Sequence, residues 1–165
     1  MATDNDLFKE LLEKSFGFLA VRSRSEKEIR DRLGKYLQKK DHPDSEIIER
    51  VIERLTEMNV IDDKAFAQWL VESRMRYNVK GPQSIRYELK KYGVSESIID
   101  EVLKTYSASD EREKAKALVE KKLLTLREPH PQKRKKKVFD FLARRGFNPQ
   151  TIYSILGETD IDDRS

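Results

Sequence analysis

Two stretches decide the fold: SIRYELKKYGVSESII, residues 84–99, and KVFDFLARRGFNPQTI, residues 137–152. Laid over one another they share one spacing, Ile85-x3-Leu89-x3-Gly93-Val94-x4-Ile99 against Val138-x3-Leu142-x3-Gly146-Phe147-x4-Ile152. Apolar residues one helical turn apart, then a glycine, then a second apolar series describe two short helices joined at a left-handed turn, which Gly adopts without a Cβ penalty. A looser copy reads Ile29-x3-Leu33 and then, after a longer loop through Asp41, His42, Pro43 and Asp44, Ile48. One pattern recurring along a 165-residue chain is the mark of a repeat protein.

Caps and periodicity extend this reading in both directions. Ser25 and Glu28 form an S-x-x-E capping box ahead of Ile29, Leu33, Tyr36 and Leu37. Ser45 opens a helix with Ile48, Val51, Ile52, Leu55 and Met58, and Asp62 opens another with Phe66, Trp69, Leu70, Ser73 and Tyr77 on one stripe. Gly81 and Pro82 begin the helix that stops at Gly93, and Ser95 caps the one carrying Ile98, Ile99, Val102, Leu103 and Tyr106. Ser109 is read as the cap of a helix with Ala115, Leu118, Val119, Lys122 and Leu126, ended by the prolines of 128–131. Lys133 to Arg145 reads as a helix, and Asn148 with Pro149 at N1 opens the last. With a helix preceding each pair, the expectation is all-α: three tandem three-helix repeats, nine helices, at 1–59, 60–107 and 108–157, then an acidic tail at 158–165. Stacked repeats of this size predict an elongated, curved array.

Composition agrees. Charged residues make up 39% and hydrophobic ones 37%, against about 25% charged in an average globular protein, so each helix buries a narrow stripe. Such stripes leave little for a large dimer interface, and a monomer is expected. The absence of cysteine excludes disulfides and thiolate metal sites, no run reaches the roughly 18 apolar residues of a membrane span, and the acidic N-terminus is no signal peptide. The expected location is cytoplasmic.

Catalysis finds little support. His42 and His130 sit beside prolines without a partner at metal-ligand spacing, and Gly34-Lys35 lacks the upstream glycine of a phosphate loop. Asp62-Asp63 reads as a helix cap with a dipole-complementing acid, and Asp160, Asp162 and Asp163 as a solvated tail. No enzyme activity, cofactor or metal is expected.

The basic residues are more informative. The net charge is +4, and Pro129 to Gly146 alone holds 7 basic residues against one acid. Lys35, Lys91 and Arg144 each follow the aligned leucine by two positions, and Arg30 and Arg86 align one after Ile29 and Ile85, with Phe139 in the third copy. Each repeat thus presents a cation at one angle, suited to acidic surfaces or phosphates. Lys133, Lys137 and Arg144 fall on one helical stripe, and cations in a helix's first turn oppose its dipole. Among aromatic residues, Tyr77, Tyr92 and Trp69 are placed on buried stripes, whereas Tyr87 falls off the Ile85/Leu89 face and is a candidate to stack on a partner.

Three blocks carry a resemblance: RSRSEKEIRDRL (22–33), VIDDKAFAQWLVESR (60–74) and KGPQSIRYELKKYGV (80–94). Their order and spacing resemble the RecX family of bacterial regulators of the RecA recombinase, over nearly the whole chain. The third repeat departs most, with Lys133–Lys137 where the second has Pro82, Gln83 and Ser84. The resemblance implies a non-enzymatic protein lying in the helical groove of the RecA filament on DNA, restraining ATP hydrolysis, strand exchange and filament growth. The candidate partner-facing or nucleic-acid-binding residues are Arg22, Arg24, Arg30, Lys35, Arg74, Arg76, Lys80 and Arg86, with Tyr87, Lys91, Lys133, Arg134, Lys137, Arg144 and Arg145. The alternative is a stand-alone, non-specific nucleic-acid-binding module, because three-helix units with a basic second helix also describe helix-turn-helix domains.

Overall fold

A computed structural model describes residues 3–159, among which all regular structure is helical. The helices are α1 (Asp4–Val21), α2 (Glu26–Lys39), α3 (Ser45–Glu57), α4 (Asp63–Arg76), α5 (Pro82–Lys91), α6 (Glu96–Leu103), α7 (Ala108–Thr125), α8 (Pro131–Arg144) and α9 (Pro149–Glu158). The acids of the expected tail, Asp160, Asp162 and Asp163, lie outside the described residues.

Contacts divide the chain into two compact units: one runs from the N-terminus to Trp69 and includes Lys90–Ile98, the other comprises Leu70–Leu89 and continues from Ile99. Helices α4, α5 and α6 contribute residues to both.

In the first unit, Leu7 and Leu11 of α1 meet Ile29, Leu33 and Leu37 of α2 and Ile47, Val51 and Leu55 of α3. Removing such side chains from water supplies most of the stabilisation, at about 1.5–3 kcal/mol each. Ser25 caps α2 as its sequence suggests, accepting from the Glu28 amide. Asp44, one residue before the expected start, caps α3 by accepting from the amides of Glu46 and Ile47. Asp62 Oδ1 accepts from the amides of Lys64 and Ala65, which makes it the cap of α4.

The second unit is centred on Ala115, Val119 and Leu123 of α7, Val138 and Leu142 of α8, and Phe147, Ile152 and Ile155. Two boundaries here differ from the sequence reading. Helix α7 is capped by Ser107 rather than Ser109, through a reciprocal box in which the Asp110 carboxylate accepts from the Ser107 amide while Ser107 Oγ accepts from the Asp110 amide. Helix α8 begins at Pro131, whose missing N–H is harmless at N1, two residues before the expected Lys133.

The glycine turns make a junction that occurs once in each unit. Gly93 (φ +77°) and Gly146 (φ +81°) both take the left-handed conformation. A Cβ on Gly93 would meet the Lys27 side chain at the start of α2, and one on Gly146 would lie 2.3 Å from the Ser84 amide nitrogen at the start of α5. At the latter junction the seam is backbone: the amides of Gly81 and Gln83 donate to the carbonyls of Arg145 and Gly146 at 2.8 and 3.1 Å. The open carbonyls at the end of α8 thereby satisfy the open amides at the start of α5, head to tail.

Candidate functional site

Many of the candidate cations are internal ties. Arg22 forks onto the Glu28 carboxylate at 2.6 and 3.1 Å and lies over the Trp69 ring, 5.6 Å from its centroid. Arg24 is buried, only 6% exposed; its Nε donates to the Phe18 carbonyl at 2.9 Å, tying down the end of α1, and burial lowers its pKa, with Arg22 adding to the effect. Arg30 pairs with Glu26 and with Glu49. Arg74 and Lys80 converge on Glu88. Burial opposes ionisation of Glu88, yet the hydrogen bonds from those two cations outweigh it and hold its carboxyl below the ordinary glutamate value. Arg86 pairs with Asp100 at 2.7 Å.

Arg134 departs furthest from the partner-facing role expected for it. It is 7% exposed, and its Nε donates to the Glu128 carbonyl at 2.8 Å, tying the α7–α8 connection to α8. Lys137 pairs with the Glu128 side chain at 2.7 Å, and that hydrogen bond is the main cause of the lowered Glu128 pKa. The cationic first turn of α8 is thus partly compensated by a glutamate from the preceding connection.

Other candidates remain available to a partner. Lys35, Lys91 and Arg144, the aligned triplet, are exposed, and among the described residues none of them forms an ion pair or side-chain hydrogen bond. The same holds for Arg76 and Lys133. Tyr87 is 71% exposed, as its place off the apolar face predicts. Tyr77 is 72% exposed, contrary to expectation, because α4 stops at Arg76 and the chain turns at Asn78 (φ +48°). Trp69 is half-buried beside Phe66 rather than a core residue, and Tyr92, also half-buried, packs edge-on against Phe66.

The second unit also carries a cationic groove. Arg76, Asn78 and Val79 from the α4–α5 connection form one side, Leu118, Lys121, Lys122 and Thr125 of α7 another, and Phe141 and Arg145 a third. Among the described residues no carboxylate lines it. Lys122 Nζ and the Arg145 guanidinium lie 5.2 and 4.9 Å from the Phe141 ring centroid, and Arg145 also donates to the Val79 carbonyl at 3.0 Å. Beyond Lys122 a smaller groove takes in Leu126, Lys137, Asp140 and Arg144. Sequence reasoning found Arg76, Lys137, Arg144 and Arg145 here but missed Lys121 and Phe141 and set Lys122 on the buried stripe. The Lys121–Lys122 doublet in the last turns of α7 was the available signal.

Among the described residues no group of His, Cys, Asp or Glu side chains is placed to hold a metal ion. Asp63, half-buried, has its pKa raised chiefly by desolvation, and its Oδ1 accepts from the Glu26 amide at 2.8 Å, a second helix-capping duty. No described helix is long and apolar enough to cross a membrane.

Comparison with known proteins assigns the chain. Family models for the first, second and third three-helix domains of RecX match residues 12–55, 62–103 and 110–156. The regulatory protein RecX of Pelodictyon phaeoclathratiforme is 42% identical over 138 residues, covering 84% of this chain and 81% of that protein. That of Prosthecochloris aestuarii is 35% identical over 156 residues, covering 94% and 97%. The Oceanobacillus iheyensis protein is also 35% identical over 156 residues, but the chain spans only 56% of its length. A crystal structure of regulatory protein RecX superposes with a TM-score of 0.80 at 28% identity, over 94% of this chain and 75% of that one. The fold, the order of the three domains and these relatives agree: the chain belongs to the RecX family of regulatory proteins.

Proposed function

We propose that this regulator binds filaments of the RecA recombinase on DNA, in their helical groove, and restrains ATP hydrolysis, strand exchange and filament growth without catalysing a reaction itself. It acts in the cytoplasm as a monomer. The observation that supports this reading most directly, beside family membership, is the aligned triplet Lys35, Lys91 and Arg144. An exposed, unpaired cation at the same position of each repeat has no structural duty, and a repetitive acidic partner would use all three.

The test is the triple variant Lys35→Glu, Lys91→Glu, Arg144→Glu, titrated against RecA filaments on single-stranded DNA while ATP hydrolysis is followed. Inhibition should weaken at least tenfold, with helicity and melting temperature nearly unchanged, since exposed substitutions usually cost within about 0.5 kcal/mol. Undiminished inhibition would return the triplet to the role of solvated surface. The reading as a stand-alone nucleic-acid-binding module draws on Lys133 and Arg144, exposed and unpaired on α8. Equal affinity for bare DNA and for filament across a salt series would favour it over the filament reading.

A further inference from the structure

We propose that the groove bounded by the α4–α5 connection, α7 and α8 binds an acidic peptide segment that carries apolar side chains between its carboxylates. The inference stands apart from the filament reading, because it concerns the chemistry of one groove and is tested without RecA.

Charge is the first argument. Arg76, Lys121, Lys122 and Arg145 line one groove with no carboxylate among them, and none of the four forms an ion pair among the described residues. Arg30, Arg50, Arg54, Arg86 and Arg112, by comparison, all have acidic partners. With no described carboxylate in the groove, like charges face one another there, an arrangement that a purely structural surface would gain by relieving.

The lining between the cations is the second argument. Val79, Leu118 and Phe141 are half-buried there and pack against the core of the unit, so the groove has an apolar floor beneath a cationic rim. Carboxylates suit the rim and a Leu, Ile or Phe side chain suits the floor. A phosphodiester backbone has nothing to place on that floor. Asn78 and Thr125 add an amide and a hydroxyl at the edge, of the kind that pairs with peptide backbone groups. Arg145 is pre-positioned: one guanidinium nitrogen is held by the Val79 carbonyl, which leaves the remaining donors of a planar fork to meet a carboxylate with little further ordering.

The experiment uses the full chain and fluorescently labelled, end-blocked octapeptides followed by anisotropy. DDLDEFDD should bind, while NNLNQFNN, which keeps the apolar anchors, and DDADEADD, which keeps the charge, should each bind at least tenfold more weakly. The variant Lys121→Gln, Lys122→Gln should lose about tenfold in affinity for DDLDEFDD, with circular dichroism unchanged and a melting temperature equal to or above the parent's. The proposal is overturned if DDADEADD binds as tightly as DDLDEFDD, which would mean charge attraction alone, or if the lysine variant binds the peptide like the parent. It is equally overturned if an unlabelled eight-nucleotide oligo-dT displaces the peptide at concentrations below those needed of the peptide itself, which would mark the groove as a nucleic-acid site.

Discussion

Single residues in this molecule separate cleanly by what surrounds them. Gly146 has a positive φ and a backbone amide 2.3 Å from where a Cβ would sit, so Gly146→Ala must both strain its own backbone and push α5 away. We expect a loss of about 3 kcal/mol or more, read by urea denaturation. Gly17, in α1, has open space around it, and Gly17→Ala should instead stabilise by roughly 0.5–1 kcal/mol through helix propensity; the pair serves as its own control. Glu88 sets a pH dependence. Its folded pKa lies below the ordinary value of 4.5 because Arg74 and Lys80 stabilise the carboxylate, so its contribution is complete above pH 4.5 and is lost as pH falls through the lowered value. Stability measured from pH 6 down to pH 3 should therefore fall less steeply in Glu88→Gln than in the parent, and parallel slopes would mean that the Arg74–Glu88–Lys80 cluster contributes nothing.

At the scale of the element, α7 offers a direct check on where a helix starts. Ser107→Ala removes one half of the capping box and should cost about 1 kcal/mol, whereas Ser109→Ala, inside the first turn, should stay within about 0.5 kcal/mol. Thermal melts of the two variants distinguish them. The sequence presents two serines there, and only Ser107 has an acid three residues on, at Asp110, to close the box. What was legible was periodicity. Ile85, Leu89, Val94 and Ile99, with Val138, Leu142, Phe147 and Ile152, are all buried, as the aligned spacing requires. What was not legible was pairing beyond a helix's own face: no helical pattern says that Arg134 reaches a carbonyl in the α7–α8 connection, that Arg24 ties down the end of α1, or that Lys122 lies over Phe141. Hence a helix face tells which cations are turned away from the core, while contacts outside the helix decide which of those stay free. Tyr77 failed for a different reason, because its stripe outlasted its helix.

Across the whole molecule, α4, α5 and α6 supply residues to both contact units, so the melting of any one of these three helices touches both. Trp69, the sole tryptophan, belongs to the first unit, and helical circular dichroism reports on both. We expect fluorescence and circular dichroism to give coincident urea midpoints; separated midpoints would mean that the units melt independently. The junction at Gly81 and Gly146 has a consequence of another kind. Its hydrogen bonds run between main-chain groups, so it is indifferent to most side-chain identities and asks only for glycine where the chains touch. Most side chains that flank the seam are then left free to diverge. A main-chain coupling of this sort works like a standard thread, in that segments of differing surface can be copied, exchanged or appended during evolution without redesigning the joint.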